Sequence, residues 1–439
     1  MESQTQIQES VSKPTCVVIG PVQARAGYGN MARDITTMLI NTGRYNVSIL
    51  PLPWGNCPLD ALDEKNPTHK AIMDRLIVNT NQLPQPDISI VVSIPSEFKR
   101  IGKYSIGYTA GIETNAMSPE WVQACNQMDL ILTISEHAKL VTLSTGYEAR
   151  DKNTNQVVGN VKVEKPVEIV HPVLYTDIIR KIQDNEILTS VRHTMKLVDE
   201  KFNFLFVGHW LNGDMGEDRK NVGLLIKLFL ETFKDRKNKP GLILKTSSAT
   251  FSILDREAII TKIKQIKASI NSKDLPNIYL LHGDLTDDEM NSLYNHPKVK
   301  VHISLAHGEG FGIPLLEASI SQKPVIASNW SGQLDFLNKD EALLVNGELK
   351  PIHQSAVWDK VLNAGTLWFA PDMQHACNLM NASFVNYDKY KQGALKLGVK
   401  NRERFNIKKI QKGFEELLDK YIPKFAVQVP LKLPTLRKL

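Results

Sequence analysis

The sequence is poor in cysteine and has no long apolar run, and both shortages limit what the chain can be. Its four cysteines, Cys16, Cys57, Cys125 and Cys377, form no C-x-x-C pair. This spacing argues against a disulfide framework and a cysteine zinc site, and it is typical of a reducing cytoplasm. No apolar run reaches the roughly 18 residues of a membrane span. Residues 1–14 lack the apolar core of a signal peptide and are predicted to form a disordered tail.

The charge of the chain is unevenly shared between its two halves. Residues 1–200 hold 19 Lys and Arg against 22 Asp and Glu, whereas the remainder holds 34 against 25. A basic second half fits a site for anionic ligands such as phosphates or nucleic acid. A lysine-rich solvated surface would have the same balance, so charge alone does not decide between the two.

A length of 439 residues predicts two domains, and two series of short β-branched runs support this division. The first series is TCVVIG, YNVSILPL, DISIVVSI, YSIGYTAG, DLILTIS and EIVHPVL; the second is FNFLFVGHW, GLILKTS, NIYLLHGD, VKVHISLA, PVIASN and ALLVNG. Helical or loop segments separate the runs. Such alternation predicts α/β domains built from βα units around parallel sheets.

We therefore expect two doubly wound domains that face each other across a cleft, with ligands beyond the carboxyl ends of the strands. The predicted divisions are a first domain at 15–175, a polar helical linker at 176–200, a second domain at 201–405, and a helix and tail at 406–439 that cross back to the first domain.

A glycine-rich turn bearing two glutamates lies in HGEGFGIPLLEASISQKPVIASNWSG, residues 307–332. VKVHISLA before it is a predicted strand, and Pro314 suits the first turn of a helix, where its missing N–H needs no partner. The helix therefore begins at the carboxyl edge of the sheet, where free N–H groups attract anions. The three glycines would let a ligand approach the backbone. Glu309 and Glu317 can then face one bound molecule, a combination that suits a nucleotide-sugar.

The stretch EGFGIPLLEASISQKPVIAS resembles the E-x7-E signature of retaining glycosyltransferases with the GT-B fold, most of all glycosyltransferase family four. Both glutamates, the F-G pair, the proline, the K-P-V-I-A run and the following S-G are in register. The resemblance covers about residues 15–423 and is strongest over 201–335. It implies the GT-B fold, in which two Rossmann-like domains bind the acceptor and the nucleotide-sugar donor respectively.

The resemblance also implies roles for individual residues. Arg219 and Lys220, in an R-K-N run, would neutralise the diphosphate leaving group, and no D-x-D motif offers metal ligands for that task. Glu317 would hold the ribose hydroxyls of the nucleotide, and Glu309 would face the transferred sugar. Further donor contacts are expected from the glycine-rich turn, from the loop before a helix predicted at about Asn30, and from the start of a helix at QLDFL: Gly310, Phe311, Gly312, Ile313, Gly27, Tyr28, Gly29, Ser331 and Gly332.

Several positions depart from the pattern of the family. Glu113 falls where many relatives carry a histidine that touches the donor sugar, which makes Glu113 a candidate catalytic residue. His209 stands where many relatives have an arginine, so the second phosphate contact stays open. His137 and His171 are expected to be structural, and Asp335 is expected to be either a helix-start charge or a ligand contact.

The sequence thus predicts a retaining glycosyltransferase that moves a sugar from a nucleotide-diphosphate sugar to an acceptor hydroxyl, without a cofactor or metal. No catalytic nucleophile is visible, which suits the front-face route usually proposed for the family. The acceptor could be a carbohydrate, a lipid-linked glycan or a nucleic acid.

Other functions stay open at this point. A DNA-modifying transferase acting on hydroxymethylated bases would fit the positive charge, although no DNA-reading motif is present. A non-catalytic nucleotide-sugar-binding subunit, a sugar phosphorylase and an epimerase could share the twin-domain scaffold.

Overall fold

The structure, a computed structural model, describes residues 13–425 except 78–83, 152, 212, 249 and 359–360. Residues 1–12 of the predicted tail and residues 426–439 of the predicted last segment lie outside the described residues. No helix in the described part of the chain is long and apolar enough to cross a membrane.

The first domain contains a parallel sheet and an antiparallel hairpin. Its strands are β1 (Thr15–Gly20), β2 (Asn46–Pro51), β3 (Ile88–Val92), β4 (Tyr104–Thr109), β5 (Leu130–Thr133), β6 (Gly146–Arg150), β7 (Val157–Lys162) and β8 (Val167–Ile169). The six-stranded sheet has the order β2-β1-β3-β4-β5-β8, and β6 pairs with β7 in the hairpin. The helices of this part are α1 (Gly27–Thr42), α2 (Pro67–Met73), α3 (Pro119–Asn126) and α4 (Glu136–Ser144).

The second domain repeats this plan. Its strands are β9 (Asn203–Val207), β10 (Gly241–Lys245), β11 (Ile278–Leu281), β12 (Val299–Ser304), β13 (Val325–Ser328), β14 (Leu343–Val345), β15 (Gly347–Pro351) and β16 (Leu367–Pro371). The parallel sheet has the order β11-β10-β9-β12-β13-β14, and β15 pairs with β16 in a second hairpin. The remaining helices are α5 (Thr189–Met195), α6 (Val222–Phe233), α7 (Ile253–Ala268), α8 (Asp287–Asn295), α9 (Ile313–Ile320), α10 (Met373–Val385), α11 (Tyr387–Arg404) and α12 (Ile407–Tyr421).

The predicted α/β architecture is confirmed, because all twelve predicted strands lie in the two six-stranded sheets. Every residue of β3 is buried, as expected where helices cover both faces of a parallel sheet. The two hairpins were not predicted, since the exposed strands β7 and β15 have no apolar face that would mark them as strands.

The prediction of a helical segment at 176–200 is wrong for most of its length, since its one α-helix in the structure is the short α5. The backbone N–H groups of Arg180 and Ile182 donate instead to the side-chain oxygens of Asn291 and Asn295, at 3.1 and 3.3 Å. The chain therefore runs along α8 in a non-helical conformation, because α8 supplies the hydrogen-bond partners that a helix would otherwise provide.

The last helix, α12, lies against the first domain. Arg44, just after α1, forms an ion pair with Asp419 at 2.5 Å, and Tyr421 donates to Glu168 at 2.5 Å. Leu418 is buried in the same core as residues of α1. Helix α12 thus fastens the second domain to the first.

Apolar side chains join the two domains below the cleft. Phe311 and Phe336 of the second domain contact each other at a ring-centroid distance of 5.1 Å, and Phe311 lies 5.6 Å from the ring of His171 in the first domain. Phe405 completes this cluster at 5.5 Å from Phe311. The loops that follow β4 and β12 therefore meet at the cleft in a defined orientation.

Candidate active site

The glycine-rich turn follows β12 and leads into α9, as predicted. Gly312, directly before α9, has a φ of +94°, a left-handed conformation that favours glycine. Pro314 lies in the first turn of α9. The N-terminus of α9 has no side-chain cap, so its backbone N–H groups stay available at the carboxyl edge of the second sheet.

The other two glycines of the turn contact the first domain. A Cβ atom on Gly308 would lie 2.3 Å from the carbonyl oxygen of Glu113, and one on Gly310 would lie 2.9 Å from that of Ala110. We expected these glycines to admit a ligand. In the structure the backbone of the loop after β4 packs against them instead. Only a residue without Cβ leaves room for a backbone oxygen at these distances.

Four charged residues from both domains meet beside this turn. Arg219 forms an ion pair with Glu113 of the first domain, and Lys220 forms one with Glu309. The side chains of Lys220 and Glu309 are only 12% and 10% exposed, so water screens their interaction weakly. All four residues were predicted from the sequence as candidate catalytic residues, and the fold brings them into one cluster.

The electrostatics of the pair formed by Arg219 and Glu113 keep both of these groups charged. Burial would raise the pKa of Glu113, but the positive charges of Arg219 and Lys220 more than offset burial and lower it. Burial would likewise lower the pKa of Arg219, but the carboxylates of Glu113 and Glu309 raise it. The cleft therefore holds two fixed cations, each already neutralised by a carboxylate.

The loop between β9 and α6 positions the two cations. Buried Asp218 accepts hydrogen bonds from the N–H groups of Val222 and Gly223 at 3.0 and 3.3 Å, which caps α6 directly after the cations. The carbonyl of Arg219 also accepts from the N–H of His307, at 3.2 Å. The cations are thus tied to both α6 and the glycine-rich turn.

His209 lies just after β9, close enough to these cations for their charge to affect its pKa. Burial lowers the pKa of its imidazole, and the charges of Arg219 and Lys220 lower it further. The ring is therefore neutral at physiological pH and supplies no positive charge. Arg219 and Lys220 remain the cationic pair of the cluster.

Glu317 has a different environment from Glu309. It lies on α9 and accepts a hydrogen bond from the hydroxyl of Tyr294 on α8, at 3.0 Å. Burial raises its pKa to about 7, and the charge of Asp287 adds to this while the bond from Tyr294 opposes it. Glu317 is thus a carboxyl group that titrates near neutral pH.

The sequence Gly27-Tyr28-Gly29 forms the first turn of α1 and not the preceding loop, so the predicted start at Asn30 is three residues late. The hydroxyl of Tyr28 lies 2.9 Å from that of Thr109 and accepts from the N–H of Ala110 at 3.1 Å, so Tyr28 positions the loop after β4. A Cβ on Gly29 would collide with a backbone oxygen at 2.0 Å, whereas Gly27 faces open space. Of the three residues, Gly27 has the backbone most available to a ligand.

Ser331 and Gly332 hold the backbone of Glu309. The hydroxyl of Ser331 accepts from the N–H of Glu309 at 2.8 Å, and the N–H of Gly332 donates to its carbonyl at 3.0 Å. The prediction of a helix at QLDFL is wrong, since residues Gly332–Asp335 form only a short 3₁₀ helix. Ser331, directly before it, has a left-handed φ of +69°.

Three other predicted positions lie within the protein interior or at the domain contact. Phe311 is buried among the aromatic rings that join the domains, so its side chain does not face the cleft. Ile313 is partly buried against the same core. Asp335 accepts from the N–H of Glu136 at 3.0 Å and lies 2.9 Å from Nε2 of His171. Asp335 and His171 therefore tie the two domains together.

The sequence did not indicate two further residues beside the cluster. Trp368 of β16 stacks on His307 at a centroid distance of 3.9 Å, and the neighbouring Leu367 exchanges two hydrogen bonds with Asn115 of the first domain. Trp330 packs edge-on against His137 at 4.9 Å. These contacts depend on the unpredicted hairpin β15–β16 and on the meeting of the domains, so a single sequence holds no signal for them.

Space for a ligand is present beside Arg219. A cavity of about 380 Å³ is lined by Leu211, Arg219, Ser248, Ser355, Ala356, Val357, Trp358 and Leu362. No group of three or more His, Cys, Asp or Glu side chains within the described ranges is arranged to hold a metal ion.

Comparison with solved structures shows which fold this is. Anabaena HepE in complex with UDP and glucose aligns with a TM-score of 0.60 at 13% identity, over 93% of this chain and 100% of that chain. Sucrose-phosphate synthase of Thermosynechococcus elongatus gives 0.58 at 13% identity, over 93% and 99%. The α,α-trehalose 6-phosphate synthase of Burkholderia multivorans gives 0.59 at 11% identity, over 93% and 98%.

Sequence comparison locates the family signal in the second domain. Among curated proteins none matches this chain significantly. The family model described as glycosyl transferases group 1 matches residues 216–365, which include both cations and both glutamates of the E-x7-E motif. Residues 216–365 thus carry a glycosyl transferases group 1 domain, and the chain is a glycosyltransferase with the GT-B fold.

Proposed function

We propose that the chain is a retaining, metal-independent glycosyltransferase that moves a sugar from a nucleotide-diphosphate sugar to an acceptor hydroxyl. The observation that carries the proposal is the cluster of Arg219, Lys220, Glu309 and Glu113 at the carboxyl ends of β4, β9 and β12. In open α/β sheets this edge is where ligands bind. Two adjacent cations there can contact the oxygens of a diphosphate.

The donor is proposed to bind mainly to the second domain. Arg219 and Lys220 would contact the diphosphate oxygens, together with the free N–H groups at the start of α9 and the backbone at Gly27. Glu317 would accept hydrogen bonds from the ribose hydroxyls. Since HepE was solved with UDP-glucose, UDP-sugars are the first donors to try.

Bond cleavage is proposed to depend on charge stabilisation. As the bond between the anomeric carbon and the phosphate oxygen breaks, negative charge develops on the leaving group. Fixed cations in a half-buried cleft stabilise this charge without reorganising, and such preorganised groups give large rate effects. The acceptor oxygen would bond to the anomeric carbon on the same face, and its proton would pass to the departing phosphate oxygen.

Retention without a protein nucleophile is supported by the pairing of the nearby carboxylates. One oxygen of Glu309 is held by Lys220 and one of Glu113 by Arg219, so both carboxylates are already engaged in orienting the cations. The acceptor is proposed to enter from the first-domain side of the cleft. A carbohydrate, a lipid-linked glycan and a hydroxymethylated DNA base all stay candidates for it.

The proposal is tested first by binding and then by stereochemistry. A thermal-shift panel of UDP, GDP and ADP with their sugars should identify a stabilising nucleotide without added metal. Slow hydrolysis of the best donor, followed by ¹H NMR before mutarotation, should give the sugar with the anomeric configuration of the donor. Initial release of the inverted sugar would contradict retention, and binding that requires a divalent cation would contradict metal independence.

A further inference from the structure

Four lysines surround the C-terminal end of α8, beside the edge of the second sheet that lies opposite to the active site. We call them the lysine cluster: Lys181, Lys300, Lys323 and Lys391. Lys323 is only 7% exposed, and its Nζ donates to the carbonyls of Tyr294 and His296 at 2.8 and 2.7 Å. These bonds suit the end of a helix, where a cation is favourable. An ammonium group has three donors, however, and the third has no acceptor in the described part of the chain.

Lys300 lies beside Lys323 at the start of two neighbouring strands. The register pairs His302 of β12 with Val325 of β13, and the N–H of His302 also donates to the carbonyl of Pro324 at 2.9 Å. Lys300 and Lys323 are each two residues before these paired positions. They are therefore neighbours at the edge where β12 and β13 begin.

The other two lysines come from α11 and from the segment before α5. Nζ of Lys300 lies 5.7 Å from the ring centroid of Tyr387, the first residue of α11, and Lys391 follows about one helical turn later. The carbonyl before Lys181 and the N–H after it form hydrogen bonds with the side chain of Asn295, the last residue of α8, at 2.9 and 3.3 Å. The strand β12, the helix α11 and the segment before α5 thus bring their lysines to the same place.

The ammonium groups of the lysine cluster repel one another. Burial lowers the pKa of Lys323, and the charges of the other three lysines lower it further. Burial also lowers the pKa of Lys181, and the charges of Lys391 and Lys300 add to this. Asp184 is the carboxylate that opposes both shifts. The cations of the active site each have a carboxylate partner, whereas no member of this cluster forms an ion pair with another described residue. Proteins keep such conflicts mainly at functional sites.

A phosphate group fits the chemistry of the lysine cluster. It carries about −1.5 to −2 charge near pH 7, which offsets much of the positive charge that four lysines leave after Asp184 is counted. Its oxygens accept several hydrogen bonds, and lysine binds phosphate as a point charge. A carboxylate has a single charge and would leave most of the excess in place. Lys391 is exposed, so a ligand can reach the cluster from solvent.

We propose that the lysine cluster binds the phosphate group of an anionic ligand, at a site separate from the active site. Lys300 contacts the phosphate from β12, Lys391 from α11 and Lys181 from the segment before α5. The third donor of Lys323 forms the base of the site. The ligand is a phosphorylated small molecule in solution or the phosphate headgroup of a lipid, which share this chemistry. The proposal goes beyond the proposed function, since it involves no residue of the ion-pair cluster.

Thermal unfolding of the full chain with and without inorganic phosphate tests the proposal, in about 0.15 M KCl to screen unspecific attraction. Lys391→Gln removes one cation, so without phosphate it should raise Tm by about 1–2 °C, because less repulsion remains. Phosphate should raise the Tm of the unaltered chain, and it should raise that of Lys391→Gln by less than about half as much. Lys181→Gln should reproduce both effects from another element. Phosphate bound in the active site affects all these proteins equally, so their difference reports on the lysine cluster.

Lys396→Gln is the matched control on the same helix. Lys396 is exposed on α11 and lies near Glu341, because its charge affects the pKa of that carboxyl group. Its removal relieves no repulsion within the lysine cluster. The variant should therefore gain no stability without phosphate and should keep the full response to it.

Co-sedimentation with lipid vesicles distinguishes the two sources of phosphate. Vesicles of phosphatidylcholine with phosphatidic acid are compared with vesicles of phosphatidylcholine alone. Binding to the first kind that Lys391→Gln loses and Lys396→Gln keeps assigns the site to a lipid headgroup. A Tm response to free phosphate without vesicle binding assigns it to a phosphorylated solute.

Several outcomes would overturn the proposal. A lower Tm of Lys391→Gln without phosphate, or a phosphate response equal to that of the unaltered chain, contradicts it directly. An equal loss of response in Lys396→Gln would show only a general attraction of anions to α11. The absence of both a phosphate response and vesicle binding in the unaltered chain also contradicts it. No nucleotide is used, so a failure of the proposed function leaves these results unaffected.

Discussion

Glu309 and Glu317 belong to one motif and are eight residues apart, yet the structure gives them opposite electrostatic conditions. Glu309 is paired with Lys220 and fixed through its backbone by Ser331 and Gly332. Glu317 contacts no cation within the described residues and is held by the neutral hydroxyl of Tyr294, with a pKa of about 7.

The difference teaches that the motif combines a carboxylate paired with a cation and a carboxyl group without one. The carboxylate of Glu309 orients the buried Lys220, which suits a site where charge develops during the reaction. A buried carboxyl group without a cation loses its charge near neutral pH. The two ends of the motif should therefore respond differently to substitution and to pH.

The largest expected effect on catalysis comes from a substitution of Lys220, the partner of Glu309. Lys220→Ala removes one of the two cations and leaves Glu309 without its partner, so kcat/KM for transfer should fall about 10²- to 10³-fold. Steady-state kinetics with the identified donor measure this. Lys227→Ala, on the exposed face of α6, is the matched control and should keep normal turnover. Normal turnover in Lys220→Ala would remove the diphosphate role of Lys220.

A substitution of Glu317 should have a smaller effect, which is on nucleotide affinity and depends on pH. Glu317→Gln should weaken nucleotide binding about tenfold at pH 8, because hydrogen bonds to an ionised acceptor are the stronger ones. The pKa of Glu317 is raised to about 7, so its charged form is lost as pH falls through 7, and the advantage over the variant should shrink by pH 6. Calorimetry measures the Kd of the unaltered chain and of the variant across this pH range. The titration of the nucleotide itself affects both values equally, so it does not change their ratio. A ratio of the two Kd values that does not change with pH would contradict the assignment of Glu317 to the ribose.

A third substitution should increase the affinity for the nucleotide diphosphate. Glu113 competes with the diphosphate for Arg219, so Glu113→Gln should tighten binding of the free nucleotide diphosphate. The pair is about one-fifth exposed and partly screened, which limits the gain to about fivefold. Titration at low and high salt checks this, since the gain should decrease as salt rises. Weaker nucleotide binding in Glu113→Gln would show that Glu113 supports Arg219 and does not compete for it.

The smallest effect on nucleotide affinity is expected for Asp335, which lies at the contact between the domains. Asp335→Asn weakens the contacts with His171 and the N–H of Glu136, so the free energy of unfolding should fall by about 1–2 kcal/mol. Urea unfolding measures this loss. Nucleotide affinity should change by no more than about twofold, because Asp335 joins the domains outside the charged cluster. A tenfold loss of affinity would instead make Asp335 a ligand contact.

Local patterns were sufficient to predict the strands and the glycine-rich turn. Apolar β-branched runs bury both faces of a parallel strand, so each of the twelve predicted strands was visible in the sequence. For Gly308 and Gly310 the sequence predicted the close approach of a ligand. The structure shows the loop after β4 there, because the carboxyl edges of the two sheets face each other.

Other features depend on contacts between distant parts of the chain. Residues 176–200 had helical character, yet Asn291 and Asn295 on α8 supply the hydrogen bonds that keep Arg180 and Ile182 out of a helix. Phe311 belongs to a turn that was predicted to bind the donor, but its side chain fills the aromatic core between the domains. Tertiary packing overrides local preference at such places.

The sequence by itself determined two α/β halves, the position of the E-x7-E turn and the presence of an arginine-lysine pair, since these depend on residue type and periodicity. The tertiary structure alone decided that Arg219 pairs with Glu113 across the domains, that Glu317 titrates near pH 7, and that His137 meets Trp330. Charge pairing and burial depend on distances between residues far apart in the chain, and those distances exist only after the domains have packed together.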